Sequence, residues 1–198
     1  MKKGMMLLLF ADIWVTLALG MIGPIYAIFV AEIGGYLVEA SWAYFAMTFA
    51  TGLLMYIFGK IEDKIEDKEK MVTLGFFLST LGCISYIFVS NFFTLIITQI
   101  ILGLSQSILI PAHNAIYSKY LEEGKVASEW GDWEAMKHII TAFSAVIGAF
   151  IVGVFNFQIL FIIMALLSSV SIIISFYTQR RKDLNETFDR IIMFSKKI

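Results

Sequence analysis

The stretch Gly59–Lys70 reads GKIEDKIEDKEK, and nine of its twelve residues are charged. It lies between two long apolar runs, in a chain that is 59% apolar and has a mean hydropathy of +0.82. Charged residues are costly in the hydrocarbon core of a bilayer, whereas the runs on either side are long enough to cross it. This alternation predicts an integral membrane protein and not a soluble domain.

Apolar runs of about 20 residues recur along the whole chain. We interpret residues 1–182 as one all-α bundle of six transmembrane helices, and residues 183–198 as an amphipathic tail on the cytoplasmic membrane surface. The gaps between the third and fourth spans, and between the fifth and sixth, are so short that each pair must be antiparallel. The predicted spans are Leu7–Val30, Ser41–Phe58, Met71–Val89, Phe92–Ile116, Trp133–Phe155 and Phe157–Tyr177.

The positive charges give this map an orientation. All 15 Lys and Arg residues fall on the side that holds both termini, whereas the opposite loops carry only Glu32 and Glu39 as charges. The positive-inside rule then predicts a multi-pass protein of the cell (plasma or inner) membrane with both termini in the cytoplasm. The net charge of −1 favours the lipid bilayer over nucleic acid as a partner.

The charged stretch also contains a spaced pattern. Gly59, Asp63, Lys64 and Lys68 follow G-x-x-x-D-K-x-x-x-K directly after the second span. This resembles the loop between the second and third helices of the major facilitator superfamily, whose pattern is roughly G-x-x-x-D-[RK]-x-G-[RK]-[RK]. The second glycine of that pattern is Glu66 here.

Two further segments carry the resemblance, which covers Met5–Tyr177. Residues 20–30 read GMIGPIYAIFV, a Gly-Pro break in the first helix that is common in the family. Gln99–Gly103 is similar to the R-x-x-x-G segment of the fourth helix, with Gln in the Arg position. The resemblance implies a secondary active transporter that is not an enzyme and needs no cofactor.

Members of this family have two six-helix bundles, each built from two inverted three-helix repeats. The chain's two prolines, Pro24 and Pro111, lie late in the first and fourth spans, the first helix of each repeat, and we predict helix breaks at both. One bundle lacks a second wall for a central cavity. The resemblance therefore implies a homodimer; pairing with a second half-size chain and a degenerate or truncated half are the alternatives.

The family places the first and fourth helices, with the second and fifth, around the cavity, and the third and sixth farther out. Polar residues on these helices predict the pathway of a small-molecule substrate. Small residues at the same spacing, such as Gly103 and Gly148, are more typical of close helix packing, a reading that also applies to Thr16. The predicted pathway residues are Asp12, Thr16, Gln99, Gln106, His138 and Thr141.

Charges near the cytoplasmic ends of the first and fifth spans have two readings. Asp12 either carries a coupling proton or simply reaches the membrane interface. Glu134 and Lys137 form a charged inner rim, and Glu134 lies four residues before His138, close enough on a helix to pair with it. The alternative to this rim is a gate or a titrating site, because His changes its charge near neutral pH.

The resemblance also gives Asp63 a role. We expect this carboxylate to meet the start of the partner protomer's fifth helix, near Asp132–Glu134, where helix N-termini attract negative charge. It would hold the cytoplasmic side shut while the transporter opens outward. The simpler reading is that the charged loop only fixes topology.

The chain gives limited information on chemistry. His113, His138 and Cys83 have no known metal-ligand spacing, so we expect no metal site. No cluster of cationic side chains lies in mid-membrane, which favours a neutral, cationic or amphipathic substrate over a strongly anionic one. A non-transporting membrane scaffold or assembly subunit is the rival function.

Overall fold

The computed structural model describes the backbone of residues 3–195 and the side chains of residues 6–180. This part of the chain is helical, and six of its segments are long and apolar enough to cross a bilayer, which confirms the predicted six-span, all-α bundle. The first span consists of two helices joined by a 3-10 turn, and each later span is one helix. The elements are Lys3–Gly20, the turn Gly23–Ile25, Tyr26–Glu32, Leu37–Glu62, Lys68–Ile87, Phe92–Ser118, Val126–Val154 and Phe157–Ser195.

The helices are longer than the predicted spans at their polar ends. The fifth begins at Val126 instead of Trp133, and the second extends from Leu37 to Glu62. An apolar run marks only the part of a helix that fits the hydrocarbon, while the backbone ladder continues into the interface. The sixth helix likewise continues past Tyr177, and the amphipathic face predicted for 183–198 lies outside the residues whose side chains are described.

The helices pack in a pattern with internal symmetry. The most extensive contacts join the second span to the fourth, the fourth to the third, the third to the sixth, the sixth to the first, and the first to the fifth. If the first, second and third spans are exchanged with the fourth, fifth and sixth, respectively, the same five pairs of contacting helices result. Two inverted three-helix repeats produce this arrangement.

Hydroxyl groups join the first, third, fourth and sixth spans to one another. Ser79 and Ser105 hydrogen-bond at 2.5 Å, and Ser105 also donates to the Gly75 carbonyl at 2.9 Å, joining the third and fourth spans. Ser171 donates to the Ala11 carbonyl at 2.7 Å and so joins the sixth span to the first. The third and sixth spans are joined by two hydroxyl pairs, Thr73 with Ser175 at 2.6 Å and Thr80 with Ser168 at 2.8 Å.

Two glycines allow the second span to approach the fourth and the fifth span to approach the first. A Cβ added at Gly103 would lie 2.6 Å from the Met47 carbonyl oxygen, where the fourth span meets the second. A Cβ added at Gly148 would overlap the Met21 backbone, where the fifth span meets the first. Both glycines serve close helix packing, as predicted, and they do so at symmetry-related contacts.

The first span breaks where its Gly-Pro pair predicts. Its first helix ends at Gly20, the 3-10 turn Gly23–Ile25 contains Pro24, and the next helix begins at Tyr26. Proline suits the first turn of a helical segment, because its missing N–H has no intrahelical acceptor there.

The predicted break at Pro111 is wrong. The fourth helix runs through it without interruption, from Phe92 to Ser118. Two residues earlier, Leu109 packs so closely on the third span that a Cβ at Gly75 would lie 2.7 Å from it. Proline removes one backbone hydrogen bond, and packing of this kind holds a membrane helix together despite that loss.

Candidate functional site

Two cavities lie along the face between the first and fourth spans, a pair that is not among the extensively packed ones. The first, which we call the Asp12 cavity, has a volume of about 460 Å³ and lies between the first, fourth and fifth spans. It brings together most of the polar residues predicted for the pathway and the rim. These are Asp12, Thr16, Gln106, Glu134, Lys137 and Thr141.

Charged and aromatic groups share the wall of the Asp12 cavity. Asp12 is buried, with 9% of its surface exposed. Lys137 Nζ lies 2.6 Å from Glu134 Oε1 and 5.6 Å from the centre of the Trp133 ring. His113 also stacks on Trp133, with ring centres 5.2 Å apart. The cavity therefore offers both signs of charge beside a flat apolar surface.

The structure separates His138 from this group. The predicted partner of Glu134 was His138, but the ion pair of Glu134 is with Lys137, one turn away. His138 is exposed and lines neither cavity. Lys137 has the longer side chain, and its ammonium also gains the Trp133 ring, which explains the preference.

The second cavity, which we call the Gln99 cavity, has a volume of about 570 Å³ and is lined mainly by apolar and aromatic side chains of the first four spans. The Gln99 side chain is 2% exposed, and its Nε2 donates to the Tyr26 hydroxyl at 2.6 Å and the Tyr86 hydroxyl at 3.2 Å. Its Oε1 has no hydrogen-bond partner among the described residues. Buried polar atoms are nearly always paired, so this oxygen is unusual.

The two cavities meet at one place. Leu19, Gln106 and Ile110 line both of them. The first and fourth spans run in opposite directions, so the Asp12 cavity lies toward the side that holds the termini and the Gln99 cavity lies toward the other. Gln106 is consequently the polar residue that lines both cavities.

Several residues that line the two cavities were not predicted from the sequence as pathway residues. Tyr26 and Tyr86 hold Gln99, while His113 and Trp133 form the aromatic wall of the Asp12 cavity. His113 lies seven residues after Gln106 and so on the same face of the fourth helix, which is the signal that could have found it. The tyrosines and tryptophan gave no comparable signal, because aromatic residues make up 15% of this chain and most of them are structural.

The charged stretch is a short connection closed by its own lysine. Lys68 Nζ donates to the Glu62 carbonyl at 2.7 Å and to the Ile65 carbonyl at 3.3 Å, which caps the end of the second helix. Asp63 and Lys64 are exposed. A Cβ added at Gly59 would meet nothing within 4 Å, so no contact within the described residues requires glycine there.

Glu62, next to the motif acid, is the buried acid of this stretch. It is 3% exposed, and both of its carboxylate oxygens lack a hydrogen-bond partner among the described residues. Burying a charged carboxylate without hydrogen-bond partners lowers the stability of the fold. The spacing of the motif singled out Asp63, and it gave no reason to single out Glu62.

The connection between the fourth and fifth spans is also fixed by hydrogen bonds. The Tyr117 hydroxyl donates to the Glu129 carbonyl at 2.6 Å, and the Glu122 backbone N–H donates to the Glu129 carboxylate at 3.1 Å. Lys125 Nζ lies 2.6 Å from Glu122 Oε2. This contact lowers the pKa of Glu122 and raises the pKa of Lys125, because the hydrogen bond between them, and then the opposite charge, stabilises the charged form of each.

The fold and its cavities define a multi-pass membrane protein with a partly polar path between its helices. The family model of the Major Facilitator Superfamily matches residues 8–190, which include all six spans. The chain therefore belongs to the Major Facilitator Superfamily, whose members are membrane transporters. No curated protein matches it.

Proposed function

We propose that this chain is a secondary active transporter of a small molecule and that it works by alternating access as a homodimer. The observation that carries the proposal is the pair of cavities that meet at Gln106 on one face of the bundle. Polar groups inside a bilayer are costly unless they pair or line a wet path. A second bundle facing this one would complete the walls and let the two halves rock about the site.

The second and fifth spans support a partner in that position. They flank the cavities and are the least buried of the six spans within the described chain. Tyr44 of the second span is exposed and lines the Gln99 cavity, at the edge that a facing bundle would cover. We assign these two helices to the contact between protomers, with the bundle's other exposed apolar surface facing lipid.

The charged loop contributes a latch in this proposal. Asp63 and Lys64 are exposed beside the open space at Gly59, which gives a partner helix room to approach. The fifth helix begins at Val126, so we place Asp63 of one protomer at that N-terminus of its partner and no longer near Asp132–Glu134. At Val126 it would stabilise the state that is closed on the cytoplasmic side. The distribution of positive charge indicates a protein of the cell membrane whose two termini lie on the cytoplasmic side.

Thiol labelling distinguishes this carrier from a packed, non-transporting scaffold. We would replace Cys83 by Ser and introduce cysteine at Gln106, on the cavity boundary, or at Ser105, which hydrogen-bonds to the third span. A water-filled path makes Gln106→Cys react with a membrane-impermeant maleimide in reconstituted vesicles, while Ser105→Cys stays protected. Protection of both positions would contradict the transport path and favour the scaffold.

A further inference from the structure

The feature that carries a further inference is the unpaired carboxylate of Asp12 in the Asp12 cavity. Asp12 is 9% exposed and lines this cavity, and it makes no hydrogen bond or ion pair with the described residues. Unlike Gln99 Oε1, its oxygens are not sealed from the cavity, so a molecule in the cavity reaches them. A carboxylate withdrawn from bulk water in this way costs free energy unless a cation or a hydrogen-bond donor approaches it.

The other charged side chains that line the cavity compensate each other. Lys137 makes its ion pair with Glu134 and not with Asp12, at 2.6 Å from Nζ to Oε1. His113 also lines the cavity, and an ordinary histidine is neutral above about pH 6.5. Asp12 therefore leaves the cavity with one net negative charge.

The rest of the cavity limits what kind of cation fits. A volume of about 460 Å³ lies in the range of small-molecule sites, whereas one carboxylate gives a bare metal ion too few ligands. Thr16 lies one helical turn after Asp12 on the same face, and its hydroxyl can accept a hydrogen bond from an ammonium group. Leu19 and Ile110 add apolar surface, and both also line the Gln99 cavity, which has no charged residue in its wall.

We propose that the Asp12 cavity binds an organic ammonium ion with one positive charge and an apolar body, and that the Asp12 carboxylate is its counter-ion. The proposal rests on the proposed transport function and specifies its substrate class. It narrows that class from neutral, cationic or amphipathic molecules to monovalent organic cations. A second positive charge on the ligand would have no counter-ion, because Glu134 is already paired with Lys137.

Three probes with the same naphthalene body test the charge. At about pH 8, 1-naphthylmethylamine is a cation, 1-naphthalenemethanol is neutral and 1-naphthoate is an anion. Binding of each to the full chain in nanodiscs of zwitterionic lipid would be measured by equilibrium dialysis, with empty nanodiscs to subtract partitioning into lipid. We expect the amine to bind about tenfold more tightly than the alcohol, and the naphthoate to bind least, because only the amine pairs with the carboxylate.

Two variants locate the effect. Asp12→Asn keeps the shape of the side chain and removes its charge, so the amine and the alcohol should bind with similar affinity. Asp132→Asn makes the same substitution at an exposed acid that does not line the cavity, and it should keep the preference for the amine. A preference that persists in Asp12→Asn would overturn the proposal.

The unmodified chain tests the proposal even if Asp12→Asn does not fold. Equal affinities for the amine and the alcohol would overturn it, because the site would then not select a cation. Absence of binding by the amine would also overturn it.

The substrate class and the transport function fail in different ways. Dialysis needs no transport, and the thiol labelling of Gln106→Cys needs no substrate. Charge-selective binding together with a protected Gln106→Cys would support the cation site and count against the carrier. A reactive Gln106→Cys without charge-selective binding would support the carrier and overturn the substrate class.

Discussion

At the scale of single residues, polar groups in this bundle divide by whether their hydrogen bonds are complete. Ser105 and Ser171 bond to the backbone of a neighbouring span, which explains their burial as helix packing. Gln99 Oε1 and the Glu62 carboxylate are buried without such partners among the described residues. Groups of the second kind need a hydrogen-bond partner from outside the described residues, which an ordered water molecule, a bound molecule or a second bundle supplies.

Asp63 provides a prediction at this scale. Asp63→Asn removes the charge that we place on the partner's fifth helix, so the state closed on the cytoplasmic side should lose population. With Cys83 replaced by Ser, a cysteine at Asn114 in the Asp12 cavity reports this change. We expect labelling from the cytoplasmic side to rise about two- to fivefold, the factor that a dipole contact of this size gives.

The control for the latch is Glu66→Gln, which removes an equally exposed acid three residues along the same loop. It should leave the labelling of the reporter cysteine unchanged, and insertion should be normal in both variants. Equal labelling for Asp63→Asn and the unmodified loop would reduce GKIEDKIEDKEK to a topological signal.

At the scale of helices, the sequence predicted the number and order of spans well, since each requires only a long apolar run. It predicted the ends of the spans less well, because Val126–Asp132 is polar and still helical. The prediction at Pro111 was wrong in the opposite sense, because it placed a break inside a helix that is continuous. Composition alone could not tell that packing of Leu109 against Gly75 keeps the fourth helix continuous.

Close packing of the fourth span on the second gives a prediction for this scale. Gly103→Ala places a Cβ 2.6 Å from the Met47 carbonyl and should lower the free energy of unfolding by about 1–3 kcal/mol. Gly52→Ala is the matched control, because a Cβ there meets nothing within 4 Å. It should be neutral or stabilising by up to about 1 kcal/mol, the usual helix preference for alanine.

Reversible unfolding in mixed micelles, followed by circular dichroism, measures both glycine variants. Similar losses of stability in the two would show that helix propensity dominates and that the contact at Gly103 is not tight. A loss confined to Gly103→Ala would show that the two spans cannot separate to make room.

At the scale of the whole molecule, the symmetric packing of the spans leaves one face open. The Asp12 and Gln99 cavities lie on this face, and the least buried helices flank it. The sequence predicted six of the polar side chains that line the Asp12 cavity, because polar residues stand out in a membrane helix, but it did not predict His113, Asn114 or Trp133. It could not predict that Gln106 would line both cavities and Gln99 only one, which depends on how the helices tilt and break.

The number of protomers in a lipid nanodisc tests the proposed carrier most directly. Native mass spectrometry or mass photometry of the 198-residue chain gives that number without knowledge of the substrate. We expect a stable dimer, because one bundle leaves the face with both cavities uncovered. A clean monomer in lipid would contradict the homodimeric carrier.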